Sequence, residues 1–133
     1  VTGVDVHVRS EVVVAVAALV KLPGLELIES VAAERPMTFP YVPGYLAFRE
    51  VPVALAALRA LRRPPEALLV DGHGLAHPRR FDLACHLGVA MDLPTAGCAK
   101  SRLIGRHRAP AATRGSTTPL RQAHRAARAR ART

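Results

Sequence analysis

"LLVDGHGLAHPRR", residues 68–80, is an apolar run that stops on an acid. With Glu66 and Ala67 ahead of it, "EALLV" reads as a strand buried on both faces, the kind found between parallel neighbours. Asp71 follows it, then Gly72, His73 and Gly74, and the stretch closes on Arg79 and Arg80. An aspartate after a strand is often only a turn or capping residue. Here the next helix is expected to open at Pro78, too far along for Asp71 to cap it. In open α/β sheets, ligands gather beyond the carboxyl ends of parallel strands, and that is where Asp71 stands. The two glycines let a backbone or ligand come close.

Working outward, "VTGVDVHV" alternates, with Val4, Val6 and Val8 on one face and Asp5 and His7 on the other. "EVVVAVAALV" is a second strand, Pro23-Gly24 a turn, and "LELIESVAA" a third strand, so short links favour an antiparallel meander. Pro52 suits a first helical turn, and Leu55, Leu58 and Leu61 carry an apolar stripe to Arg62. Phe81, Ala84, Leu87 and Gly88 would face inward on a second helix, and "PTAGCA" forms a last strand before Lys100. The order β-β-β-α-β-α-β predicts an α/β fold: a five-stranded mixed sheet, a meander followed by two right-handed crossovers.

That topology places Asp5 on the strand beside Asp71. Two carboxylates held together repel unless a proton or cation lies between them, and a hard divalent ion such as Mg²⁺ resolves the conflict. Read alone, Asp5 also fits a solvated strand face, and Glu50 also fits simple compensation of a helix dipole. Four of the five aromatics, Phe39, Tyr41, Tyr45 and Phe48, fall within ten residues of the irregular segment 35–48. Pro40 and Pro43 stiffen the backbone around Tyr41-Val42, so Tyr41 is expected as an exposed tip able to enter a base stack. Phe39 and Phe48 are expected to pin the loop to the core. Arg79, Arg80, Lys100 and Arg102 fit phosphate contacts around the acids. His73, His77 and His86 show no four-ligand zinc spacing.

The net charge of +9 is unevenly spread. All ten acids lie between Asp5 and Asp92, whereas residues 106–133 hold eight arginines and no acid. This tail has Leu120 as its one large apolar residue, so composition predicts disorder and, at most, phosphate binding without sequence preference. Cys85 and Cys98 read as reduced core thiols. The longest apolar run, "VVVAVAALV", is far short of the ~20 residues that span a bilayer. No signal peptide is visible, and the expected compartment is cytoplasmic. Val1 opens directly into a strand pattern, so the natural N-terminus is expected upstream.

"GVDV" at 3–6, "PYVPGYLAFRE" at 40–50, "VDGHGLAHPRR" at 70–80 and "GCAKSRLIG" at 97–105 together resemble the endonuclease V family. The resemblance covers residues 1–105, which divides the chain into a core and the basic tail 106–133. It implies a ribonuclease H-like fold and a Mg²⁺-dependent nuclease, with Mn²⁺ able to replace Mg²⁺. The partner would be DNA or RNA containing inosine, cut 3′ to the deaminated purine in repair; no membrane is involved and the chain is expected to be a monomer. Asp5, Glu50 and Asp71 match the acidic metal centre, and Lys100 matches a lysine near the scissile phosphate. Pro40, Tyr41, Val42 and Pro43 match the strand-separating wedge. Gly44, Leu46, Gly72, His73 and Gly97 match the pocket around the flipped base. The family's later Gly-His-Arg motif has no match in 106–133. A fragment that binds without cleaving, or one without function, is the alternative.

Overall fold

The structure is a computed structural model that describes every residue except 39, 41, 44, 123, 124 and 133, and leaves the side chains of 125–132 undescribed. Valines and alanines build the first three strands, β1 (Thr2–Arg9), β2 (Val12–Lys21) and β3 (Glu26–Pro36). β-branched residues pack well on a pleated surface, and a two-residue link, Ser10-Glu11, turns β1 into β2. Helix α1 (Leu46–Arg59) leads to β4 (Leu68–Val70), α2 (Leu83–Met91) and β5 (Thr95–Gly97). The sheet order is β3-β2-β1-β4-β5, antiparallel across the first three strands and parallel from β1 through β4 to β5. This is the mixed five-stranded α/β sheet that the sequence predicts.

Both helices pack on one face of the sheet. Val4, Ala15, Ala17, Leu68 and Val70 point into that layer and meet Val53, Ala54, Leu58, Leu83 and Leu87. Backbone bonds from Leu68 N–H to the Pro94 carbonyl (2.9 Å) and from Cys98 N–H to the Val70 carbonyl (2.8 Å) lock β4 against β5. Strand alternation puts Gly3, Asp5, Val16 and Leu69 on the opposite face, which is open among the described residues.

Three expectations need correction. Helix α1 begins at Leu46 rather than Pro52, because Tyr45 N–H bonds the Val42 carbonyl (2.9 Å) and Phe48 N–H bonds the Tyr45 carbonyl (3.1 Å), starting the turn earlier. Pro52 therefore lies inside the helix, where it lacks a donor for the Phe48 carbonyl. Helix α2 begins at Leu83 rather than Pro78; residues 73–80 form turns instead, with Ala76 N–H on His73 and Arg80 N–H on His77. Beyond the sheet, the segment that composition reads as disordered carries β6 (Thr117–Gln122) paired with β7 (Arg125–Arg132). Strand pairing satisfies the backbone there. Arg106 and Arg121 exchange two backbone hydrogen bonds (2.7 and 2.9 Å), and Leu120 is buried against Gly105.

Candidate active site

The parallel ladder pairs Val4 with Val70, so the next step of the register sets Asp5 beside Asp71. Asp71 N–H extends that ladder onto the Val4 carbonyl (3.1 Å). β1 runs on to Arg9 while β4 stops at Val70, and alternation keeps both acids on the open face. Asp5 is exposed and its Oδ1 accepts the Val6 N–H at 3.0 Å. Asp71 is half-buried, with Lys100 Nζ 3.4 Å from its Oδ2. Lys100 reaches it from the segment after β5.

Glu50 comes from the first half of α1 and is half-buried. Burial raises its pKa from 4.5 to about 7; Arg49 opposes the rise, and the carboxylates of Asp82, Asp71 and Asp5 add to it. The acids on β1, after β4 and on α1 therefore share one electrostatic neighbourhood. Among the described residues, however, no three His, Cys, Asp or Glu side chains already converge into a metal cage.

The turn after Asp71 is held by close backbone approaches. A Cβ on Gly97 would lie 2.6 Å from the Gly72 carbonyl oxygen and 2.8 Å from Gly74 N, so this crossing of β5 and the turn requires glycine. Gly74 adopts φ 56°, the left-handed region. His73 N–H donates to Asp82 Oδ2 at 2.7 Å, and His73 Nε2 lies 3.0 Å from the Ser101 carbonyl, which requires the proton on Nε2.

Asp82 escaped the sequence reading. It occupies the N-cap position of α2, yet its side chain makes no capping bond to its own helix. An aspartate immediately ahead of the apolar run "LACHLGVAM" is an N-cap signal, hidden when the helix start is assigned to Pro78. A foregone cap typically costs about 1 kcal/mol, here offset by the bond to His73.

Two clefts flank this turn. One, of about 860 Å³, is lined by Gly72, His73, Gly97, Cys85 and Leu120 among others. The other, of about 530 Å³, is lined by Tyr45, Leu46, Phe48, Arg79 and Asp82, and shares His73 and Phe81 with the first. Gly72 and Gly97 thus line one cleft and Leu46 the other, with His73 between them. In the second, the Arg79 guanidinium lies 3.8 Å over the Tyr45 ring, and Phe81 and Phe48 meet His86 edge-on at 4.5 and 5.5 Å. Burial lowers the His86 pKa, and Asp82 opposes that shift. Phe48 is not sunk in the core as expected: Ala47, Val53, Ala54, Ala57 and Leu58 form the buried stripe of α1, which turns Phe48 toward α2. Pro40 and Pro43 are exposed and Val42 half-buried. Tyr41, Gly44 and Phe39 lie outside the described residues. No helix among the described residues is long and apolar enough to cross a membrane.

The family model for endonuclease V matches residues 1–133. The chain belongs to the endonuclease V family. Endonuclease V from Roseiflexus sp. (strain RS-1) is 51% identical over 120 residues, covering 90% of this chain and 54% of that protein. The crystal structure of endonuclease V from Streptomyces avermitilis superposes with a TM-score of 0.89 at 48% identity, over 95% of this chain and 56% of that one. Endonuclease V of Ciona intestinalis, solved with a 24mer DNA containing an inosine followed by a ribo-adenosine, has a TM-score of 0.70 at 33% identity, over 79% of this chain and 47% of that one. The chain spans about half the length of the curated relatives it matches. The match also runs past residue 105, beyond the stretch in which the sequence motifs resemble the family.

Proposed function

We propose that this chain carries the cation and substrate site of an endonuclease that cuts a phosphodiester 3′ to inosine in DNA or RNA, in the repair of deaminated purines. The observation that carries the reading is the parallel pairing of β1 with β4, which sets Asp5 beside Asp71 with Lys100 Nζ 3.4 Å from Asp71 Oδ2. Glu50, its pKa raised to about 7 by burial and by neighbouring carboxylates, supports it. Such a site favours a bound proton or cation over bare charge. The donor set is all carboxylate oxygen, which suits Mg²⁺, with Mn²⁺ able to replace it. Asp5, Asp71 and Glu50 would hold the ion. When bound, Mg²⁺ supplies Lewis acidity that activates water and offsets charge on the leaving oxygen.

The chain's own groups do the rest. Lys100, already 3.4 Å from Asp71, brings positive charge to a phosphate placed at the acids. The glycines of the 71–74 turn and β5 pack backbone against backbone and line the larger cleft, where a base can lie, and His73 stands between the two clefts. Pro40, Tyr41, Val42 and Pro43 act as the wedge, and Gly44 and Leu46 contribute to recognition of the base. The chain would do this as a cytoplasmic monomer.

The test is cleavage of a labelled strand carrying one inosine, with Mg²⁺ and with EDTA, by the natural sequence and by Asp71→Asn. One Mg²⁺-dependent cut 3′ to inosine, lost in the variant, is expected. Folded protein that binds the strand without cutting it would reduce the role to recognition, and binding indifferent to inosine would remove the base pocket as well.

A further inference from the structure

We propose that Asp82 is a positioning residue of this centre, its carboxylate fixing the 71–74 turn that presents Asp71; the proposal rests on the metal-centre reading above. The side chain is mostly buried, at 20% exposure, and its Oδ2 accepts the His73 N–H at 2.7 Å. From the N-cap position of α2, with extended backbone (φ −124°, ψ −175°), an aspartate ordinarily accepts a bond from the first turn of its own helix. Asp82 makes none. Its acceptor is turned to the loop instead.

The surroundings fit that assignment. A Cβ on Gly72 would lie 3.0 Å from Asp82 Oδ2, so the turn passes the carboxylate at a distance that glycine permits. His73 Nδ1 stands 3.8 Å from the same oxygen, while Nε2 meets the Ser101 carbonyl in the segment that carries Lys100. Asp71 is thereby held from both sides. Its N–H is tied to Val4 of β1, and two residues later the chain is tied to α2 through Asp82. Partners that orient metal ligands without touching the metal commonly govern affinity in this way.

The test uses the full chain, labelled with ¹⁵N, and reads the His73 amide exchange rate and the Mn²⁺ affinity by calorimetry. In Asp82→Ala, His73 exchange should accelerate and Mn²⁺ affinity should fall about tenfold. In Asp82→Asn, the amide oxygen can still accept the His73 N–H, so slow exchange and most of the affinity should return. Should the alanine variant not fold, Asp82→Ser keeps a helix cap but is too short to reach the loop, and it should lose affinity likewise. Wild-type affinity in the alanine or serine variant overturns the positioning role, as does unchanged His73 exchange. An asparagine variant as weak as alanine, with His73 still protected, would assign Asp82 a role through charge and also overturn the proposal. Absence of Mn²⁺ binding in the natural sequence would instead bring down the metal-centre reading, and this proposal with it.

Discussion

On one face of the sheet, Val4, Ala15, Ala17, Leu68 and Val70 are sealed beneath two helices; on the other, Asp5, Val16 and Leu69 stand open, the last two 40% and 44% exposed. The strands are the same strands, and alternation alone sends successive side chains to the two faces. Apolar burial contributes roughly 25 cal/mol per Å², so the covered face supplies the stability. The open face supplies carboxylates at the end of β4, where a charge can stay in reach of water and ligands. The molecule can therefore hold mutually repelling acids without placing them in its core, and a substitution should act on stability or on chemistry according to its face.

The largest expected effect lies under the helices. Leu87 is fully buried on α2, and Leu87→Ala should cost about 2–5 kcal/mol in urea unfolding. An effect below 1 kcal/mol would mean that the helix layer does not carry the fold. Glu50 bridges the two regions, coming from the covered side toward the acids. Its folded pKa is raised from 4.5 to about 7, so its protonated form supports folding fully below 4.5, and that support is lost as pH rises through 7. The loss is at most about 3 kcal/mol, reduced by solvent screening at a half-buried site. Glu50→Gln should remove this part of the pH dependence between 4.5 and 7 and leave the variant the more stable protein at pH 8. An unchanged stability–pH curve would separate Glu50 from the acid group.

Smaller effects sharpen the contrast. Thr2 is buried on the covered face, and its hydroxyl has no hydrogen-bond partner among the described residues. Thr2→Val should stabilise by about 1 kcal/mol, since an unpartnered buried hydroxyl is a net cost. Val16→Thr, on the open face opposite Asp5, should change stability by about 0.5 kcal/mol or less. A loss in Val16→Thr as large as the gain in Thr2→Val would show that the second face is as covered as the first.

The strands were legible because their signals are local. Alternation in "VTGVDVHV" and the unbroken "EALLV" set the sheet order, and the acid that ends the second of these marked the strand end. What misled was proline. Pro52 and Pro78 are permissible helix starts, but hydrogen bonds from residues far less distinctive, Tyr45 and Phe48, began α1 earlier, and turns at 73–80 delayed α2 to Leu83. The misplaced start of α2 concealed Asp82, because a cap is visible only beside the boundary it caps. The pairing of β6 with β7 was not legible from composition, which prices side-chain burial and omits backbone hydrogen bonding between strands. Leu120, whose isolation argued for disorder, is buried there.

We propose above that Asp5, Glu50 and Asp71 share one site that takes a cation. The direct test is to follow the Glu50 side-chain carboxyl by ¹³C NMR through a pH titration, with and without Mg²⁺. A midpoint of about 7 without the ion, a fall when Mg²⁺ is added, and a lower midpoint in Asp71→Asn are expected. A midpoint in the ordinary carboxylate range, indifferent to both Mg²⁺ and Asp71, would contradict it.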